Sequence, residues 1–238
     1  MDKNNIKLLS NNTKYIIQKI KTRTILPNDN LEQIIKDYIP VKSLSTKDIV
    51  IIASKIVSIC TPKYRFKMNE IKVTWLAKFV TKFIKKYDHP IDPGFKVPHK
   101  VQLAINLAGL PRFILAVIIG GILKFVFKKP GYFYIIAGNN ISKIDGFIPE
   151  IYPEGLKEYG FIVPNQKEAI RICNDLTEKF NINFVITDSN DFDDHLIGFS
   201  DNILKIMNKK NIQELISGNP HGQDTNTPLI IAKHIGNR

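Results

Sequence analysis

The chain has 238 residues, 44% of them hydrophobic and 24% charged, enough to bury a sizeable core and unlike an intrinsically disordered protein. Its 34 lysines and arginines against 22 acidic residues give a net charge of +12, which suits anionic ligands, but the lysines are spread along the chain and no nucleic-acid recognition motif accompanies them. With only Cys60 and Cys173, no CxxC and a polar start from Met1 to Lys14, the sequence argues against a disulfide framework, structural zinc or a secretory signal, and fits a reducing cytoplasmic setting.

Residues 14–26 (KYIIQKIKTRTIL) alternate apolar and basic side chains, as a half-exposed strand does. Pro27-Asn28-Asp29-Asn30 reads as a turn and N-cap, and Leu31, Ile34, Ile35 and Tyr38 give a helical face that stops at Pro40. Ile49 to Ile52 is a continuous β-branched run, the pattern of a strand covered on both faces, and it leads into Ala53-Ser54-Lys55. Val73 to Tyr87 reads as an amphipathic helix with Trp75, Phe79 and Phe83 inward. Pro90, Pro93, Pro98 and Gly94 mark 89–99 as an irregular loop. The run Phe113 to Phe127 (FILAVIIGGILKFVF) is uninterrupted only as far as Leu123, short of the ~20 residues a spanning helix needs. No membrane span is expected, and the run is assigned to the core or to a subunit interface.

Tyr132 to Ile136 reads as a strand running into Ala137-Gly138, and 139–160 as irregular. A helix is expected over 164–180, then a short buried strand from Phe184 to Ile186. Of the last 20 residues only Leu229 to Ala232 has an ordered pattern. The uneven alternation of strands and helices predicts an α+β fold, a mixed β-sheet with covering helices. Its expected organisation is a polar tail at 1–13, one domain over 14–205 and a polar, partly ordered C-terminal segment at 206–238.

The densest polar group is Thr187 to His195, TDSNDFDDH, placed by Phe184-Val185-Ile186 at the end of a buried strand, where α/β proteins put ligands. Its oxygens are hard ligands suited to Mg²⁺ or Mn²⁺ and, through the ion, to nucleotide phosphates. The same residue types also make ordinary strand-to-loop turns. Ser54-Lys55, after the earlier strand, offers a lysine able to neutralise transferring phosphate oxygens, or simply a surface lysine. Neither GxxxxGK[ST] nor GxGxxG occurs. His195, His221 and His234 are scattered and read as surface histidines.

Taken in order, Ala53-Ser54-Lys55-Ile56-Val57-Ser58, Ala137-Gly138, Ile144-Asp145, Ile186-Thr187-Asp188-Ser189 and Ile197-Gly198 resemble the coenzyme F420-0:L-glutamate ligase family. Gly109-Leu110-Pro111-Arg112-Phe113 resembles a side branch of it, and the likeness covers roughly residues 15–205. The resemblance implies an α+β fold, an intertwined homodimer and a ligase that joins an acceptor carboxylate to the amine of L-glutamate through an acyl phosphate. GTP is the implied co-substrate, with ATP the alternative, and Mg²⁺ or Mn²⁺ the metal. The acceptor is a small molecule, F420-0-like or a dihydropteroate or folate. Carried over residue by residue, Ser54 and Lys55 match the catalytic and nucleotide-binding pair; Asp188 matches a metal ligand, and Ser189 a hydroxyl for metal or nucleotide. The remaining metal-ligand position falls on Asn140 or Asp145 according to which motif anchors the alignment, and the carboxylate of Asp145 is the better donor for a hard cation. Two departures stand out: Asn190-Asp191-Phe192-Asp193-Asp194 replaces the family's Arg-rich loop, and Ile59-Cys60-Thr61-Pro62 replaces its EGR segment. They motivate an alternative, a catalytically silent nucleotide- or pterin-binding protein of the same fold.

Overall fold

Ile49, Val50, Ile51 and Ile52 are all fully buried, as a β-branched run without a polar face requires. They belong to the structure's larger sheet; the structure, a computed structural model, describes residues 5–84, 94–138, 141–150, 152–189, 194–218, 221 and 226–235. In chain order the first elements are β1 (Asn5–Leu8), β2 (Lys14–Ile20), α1 (Leu31–Tyr38), β3 (Ile49–Ala53), α2 (Ser54–Cys60) and β4 (Arg65–Lys67). Four helices follow, α3 (Trp75–Phe83), α4 (Pro98–Ala108), α5 (Leu110–Phe125) and α6 (Tyr132–Ala137). The rest are β5 (Ile144–Gly146), β6 (Tyr159–Ile162), α7 (Gln166–Phe180), β7 (Asn183–Ser189), β8 (Asp194–Phe199), α8 (Lys209–Ile216) and β9 (Leu229–Ile235). The fold is α+β with a mixed sheet, as the pattern predicts. By compactness the chain divides into two units, one Met1–Thr61 with Pro164–Arg238, the other Pro62–Val163.

The first unit holds a six-stranded sheet in the order β1-β2-β9-β3-β7-β8. Only β3 and β7 run parallel, from Ile49 opposite Asn183 to Ala53 opposite Thr187; the other pairs are antiparallel. Alternation along the strands separates two apolar faces. Ile49, Ile51, Val185 and Ile230 pack with Ile212, Leu215 and Ile216 of α8. On the other face Phe184 meets Phe180 at the end of α7, ring centroids 6.0 Å apart. Helix α7 is capped by Asn165, whose side chain accepts from the Glu168 amide, and stopped by Asn181 in the left-handed conformation. At Gly198 of β8 an added Cβ would come within 2.6 Å of Ala169 Cβ, so the missing side chain is what lets α7 lie against the sheet. The buried Asp48 carboxylate accepts from the Ser45 amide and hydroxyl and from the His234 amide of β9, tying the start of β3 to its neighbour. Burial, with the Asp48 charge second, pushes the Tyr15 hydroxyl up to about 12.

The strand expected over 14–26 stops at Ile20, opposite Leu229, the first residue of β9, although the Thr22 amide still donates to the Asn226 carbonyl at 2.8 Å. Beyond it, Arg23 grips Asp29 with two bonds of 2.6 Å, and Asp29 also accepts from the Leu26 amide. Segments near both ends of the chain join the sheet. Residues 5–8 pair with β2, and the ordered pattern expected over Leu229 to Ala232 belongs to β9, a middle strand between β2 and β3.

The second unit holds a three-stranded antiparallel sheet, β4-β6-β5, and a core of Val101, Leu103 and Ala104 of α4, Phe113 and Ala116 of α5, and Phe147. The strands β5 and β6 lie inside the stretch read as irregular; at three and four residues they are too short to show a period. Tyr132–Ala137 is helical, not a strand. Phe133 stands edge-on to Phe113 at 5.7 Å and covers Gly120, so packing on α5 overrides the aromatic and β-branched propensity. Helix α3 is placed as expected but turned over: Ala77 and Thr81 are buried, while Trp75, Phe79 and Phe83 are 76%, 50% and 73% exposed. Two apolar stripes compete on this helix, and the small residues win because they let α3 approach α4 closely. Core burial of the 113–127 run also fails: in α5 the buried residues are Phe113, Ala116 and Gly120. No single helix among the described residues is long and apolar enough to cross a membrane.

Candidate functional site

The carboxyl ends of β3 and β7 lie side by side because the two strands are parallel neighbours, with Ala53 opposite Thr187. At this point β3 passes into α2 without a loop, which puts Ser54 in the first turn of the helix and beside Asp188. The Ser54 hydroxyl, buried, donates to Asp188 Oδ1 at 3.0 Å, joining two positions 134 residues apart. Ser54 is itself fixed through its carbonyl, which accepts from the Ser58 hydroxyl one turn later at 3.0 Å. Asp188 is half-buried, and its second oxygen, Oδ2, has no hydrogen-bond partner among the described residues. A carboxylate held by one oxygen keeps its charge for a cation, since a hydroxyl donor orients it without neutralising it.

Lys55 follows on the exposed side of the same helical turn. Ser189 ends β7, while Asn190 to Asp193 of the acidic loop lie outside the described residues, as does Asn140. Asp145 belongs to the second unit, on β5. There its Oδ1 accepts from the Gly146 amide at 2.7 Å and its Oδ2 from the Tyr152 hydroxyl at 2.8 Å. Among the described residues no three His, Cys, Asp or Glu side chains come together as a cage. The donor set shown beside Asp188 is one carboxylate plus the Ser54 hydroxyl, which would suit a Mg²⁺-type ion that keeps most of its shell as water and phosphate oxygens.

One residue at this strand end departs from its sequence reading. His221 is 8% exposed, not a surface histidine, and its Nε2 lies 3.1 Å from the Oγ1 of the fully buried Thr187. Its Nδ1 lies 3.0 Å from the Thr227 carbonyl, which can only accept. In the neutral ring Nδ1 therefore carries the proton, and Nε2 accepts from the Thr187 hydroxyl. The Thr227 hydroxyl donates back to the His221 carbonyl, closing the loop on itself. The Pro- and Gly-rich sequence around His221 has no periodicity, so only the fold reveals the pairing. Replacing Thr187 with the isosteric valine removes the Thr187 hydroxyl bond to a buried ring nitrogen and is expected to cost about 1–3 kcal/mol in denaturant unfolding, with serine restoring most of it.

Cys173 of α7 is buried, and its burial pushes the thiol far above the ordinary range, so it is packing and not a nucleophile. No family model matches this chain and no curated protein matches it, so the reading of Ser54, Asp188 and their neighbours rests on their own geometry and chemistry.

Proposed function

We propose that the chain is a nucleotide- and metal-dependent L-glutamate ligase of the F420-0:L-glutamate ligase type, a homodimeric cytoplasmic enzyme acting on a small-molecule acceptor. The observation that supports this reading is the 3.0 Å bond from Ser54 to Asp188, which joins the two best-marked motifs at the carboxyl ends of a parallel strand pair. In the proposed reaction the acceptor carboxylate takes the γ-phosphoryl group of GTP, or of ATP, giving an acyl phosphate and the nucleoside diphosphate. The glutamate amine then attacks the acyl carbon, the carbon–oxygen bond to phosphate breaks, and the nitrogen gives up its proton as inorganic phosphate leaves. Lys55 stabilises charge on the transferring oxygens, and Ser54 holds Asp188 in position. Asp188, with Ser189, would hold Mg²⁺ or Mn²⁺, whose chemistry when bound is to neutralise nucleotide phosphate.

The assay offers glutamate with an F420-0-type acceptor or a dihydropteroate-type acceptor, with GTP and ATP in turn, and reads phosphate release and amide formation. Turnover with one pair is expected. The acidic Asn190–Asp194 segment, in place of an arginine-rich loop, favours a second reading, a nucleotide- or pterin-binding protein without turnover. In that case ligands raise the melting temperature but no phosphate appears, and phosphate release that depends on glutamate rules it out.

A further inference from the structure

The second unit presents an apolar surface that its own core does not use. Helix α5 has no polar side chain from Phe113 to Leu123, yet only Phe113, Ala116 and Gly120 are buried. Ile114, Leu115, Ile118, Ile119 and Ile122 face outward, and the exposed Phe125, Val126 and Phe127 extend the surface past the end of the helix. A helix on the surface of a water-soluble domain carries polar residues on that side; one apolar all round needs something to cover it.

The charge around this surface selects the cover. From Pro93 to Ile144 the sequence has no Asp or Glu and seven Lys or Arg. Lys124, Lys128 and Lys129 are exposed and flank Phe125-Val126-Phe127, and Lys124 sits 5.6 Å over the Phe125 ring. A second copy of this segment would bring no acidic partner for these lysines, whereas an anionic headgroup layer supplies one everywhere. The 16 residues of α5 reach about 24 Å, short of the ~30 Å of a hydrocarbon core, so the geometry suits lying in a membrane surface and not crossing it. We propose that α5 and the Phe125–Lys129 end form a docking surface for an anionic lipid bilayer. The apolar side chains enter the headgroup boundary and the lysines pair with lipid phosphate. This rests on the second unit alone and is independent of the ligase reading.

The test is co-sedimentation of the full chain with vesicles of phosphatidylglycerol and phosphatidylcholine, or of phosphatidylcholine alone, with the oligomeric state measured in parallel. Binding is expected on the anionic vesicles, weakened by salt. The variant K124Q/K128Q/K129Q is expected to lose about a hundredfold in partitioning onto anionic vesicles, about fivefold per lysine lost. The variant I118D/I122D, both at exposed positions, is expected to abolish partitioning on either vesicle while the melting temperature and oligomeric state stay as in the parent. Two results overturn the proposal: a chain that ignores anionic vesicles, or an I118D/I122D change that splits a dimer and leaves vesicle binding intact, which assigns the surface to a second copy.

Discussion

On the proposed ligase reading, Asp188→Asn is expected to remove turnover, by at least about a hundredfold, while leaving the fold unchanged. The reasoning separates two jobs of one carboxylate. Its Oδ1 accepts from the buried Ser54 hydroxyl, and an amide oxygen can do the same, so the hydrogen bond survives the substitution. Its negative charge does not survive. Residues that merely orient a metal ligand cost about 10–100-fold when changed, and loss of the ligand's own charge costs no less. Stabilisation by GTP or ATP with Mg²⁺ should vanish in the same variant, measured as the loss of the ligand-induced rise in melting temperature. Asp188→Ala adds a structural penalty, because Ser54 is then left buried without an acceptor, at about 1–3 kcal/mol. The pair distinguishes function from folding: an active Asp188→Asn enzyme would refute the assignment of Asp188 whatever the alanine variant does.

Phe184→Ala is expected to cost about 3–5 kcal/mol, the largest stability effect of any single truncation considered. The side chain is fully buried in β7 and packed on Phe180, so its removal opens a cavity between a sheet interior and α7 that neither rigid element can close. Against a total stability on the order of 5–15 kcal/mol this is a large fraction. Denaturant unfolding followed by far-ultraviolet circular dichroism checks it, as a lower midpoint with little change in slope. A cost below about 1 kcal/mol would mean that α7 collapses onto the sheet.

The sequence made the first unit legible where one local signal dominated. Ile49 to Ile52, the Asn30 cap and the helix before Phe184 all folded as their patterns require, because propensity and burial agree there. The second unit was misread where two signals competed. On α3 the aromatic stripe lost to Ala77 and Thr81, and at Tyr132–Ala137 packing against Gly120 outweighed strand propensity. In the site, Ser54 and Asp188 were marked by motif, but His221 was not, since its partner Thr187 lies 34 positions earlier and nothing local joins them. Long-range pairing of that kind is a property of topology, not of spacing.

The middle position of β9 also bears on how the chain is made. β3 emerges early in synthesis as a bare apolar run, yet its two neighbours, β7 and β9, begin at Asn183 and Leu229. Until the last strand leaves the ribosome, one edge of β3 has nothing to pair with, and such an edge invites the wrong partner. Closure of the larger sheet is thus a late, non-local event, the kind that slows folding most. A nascent chain of this protein is committed to waiting for β9, and holdase chaperones would meet it with Ile49 to Ile52 still uncovered.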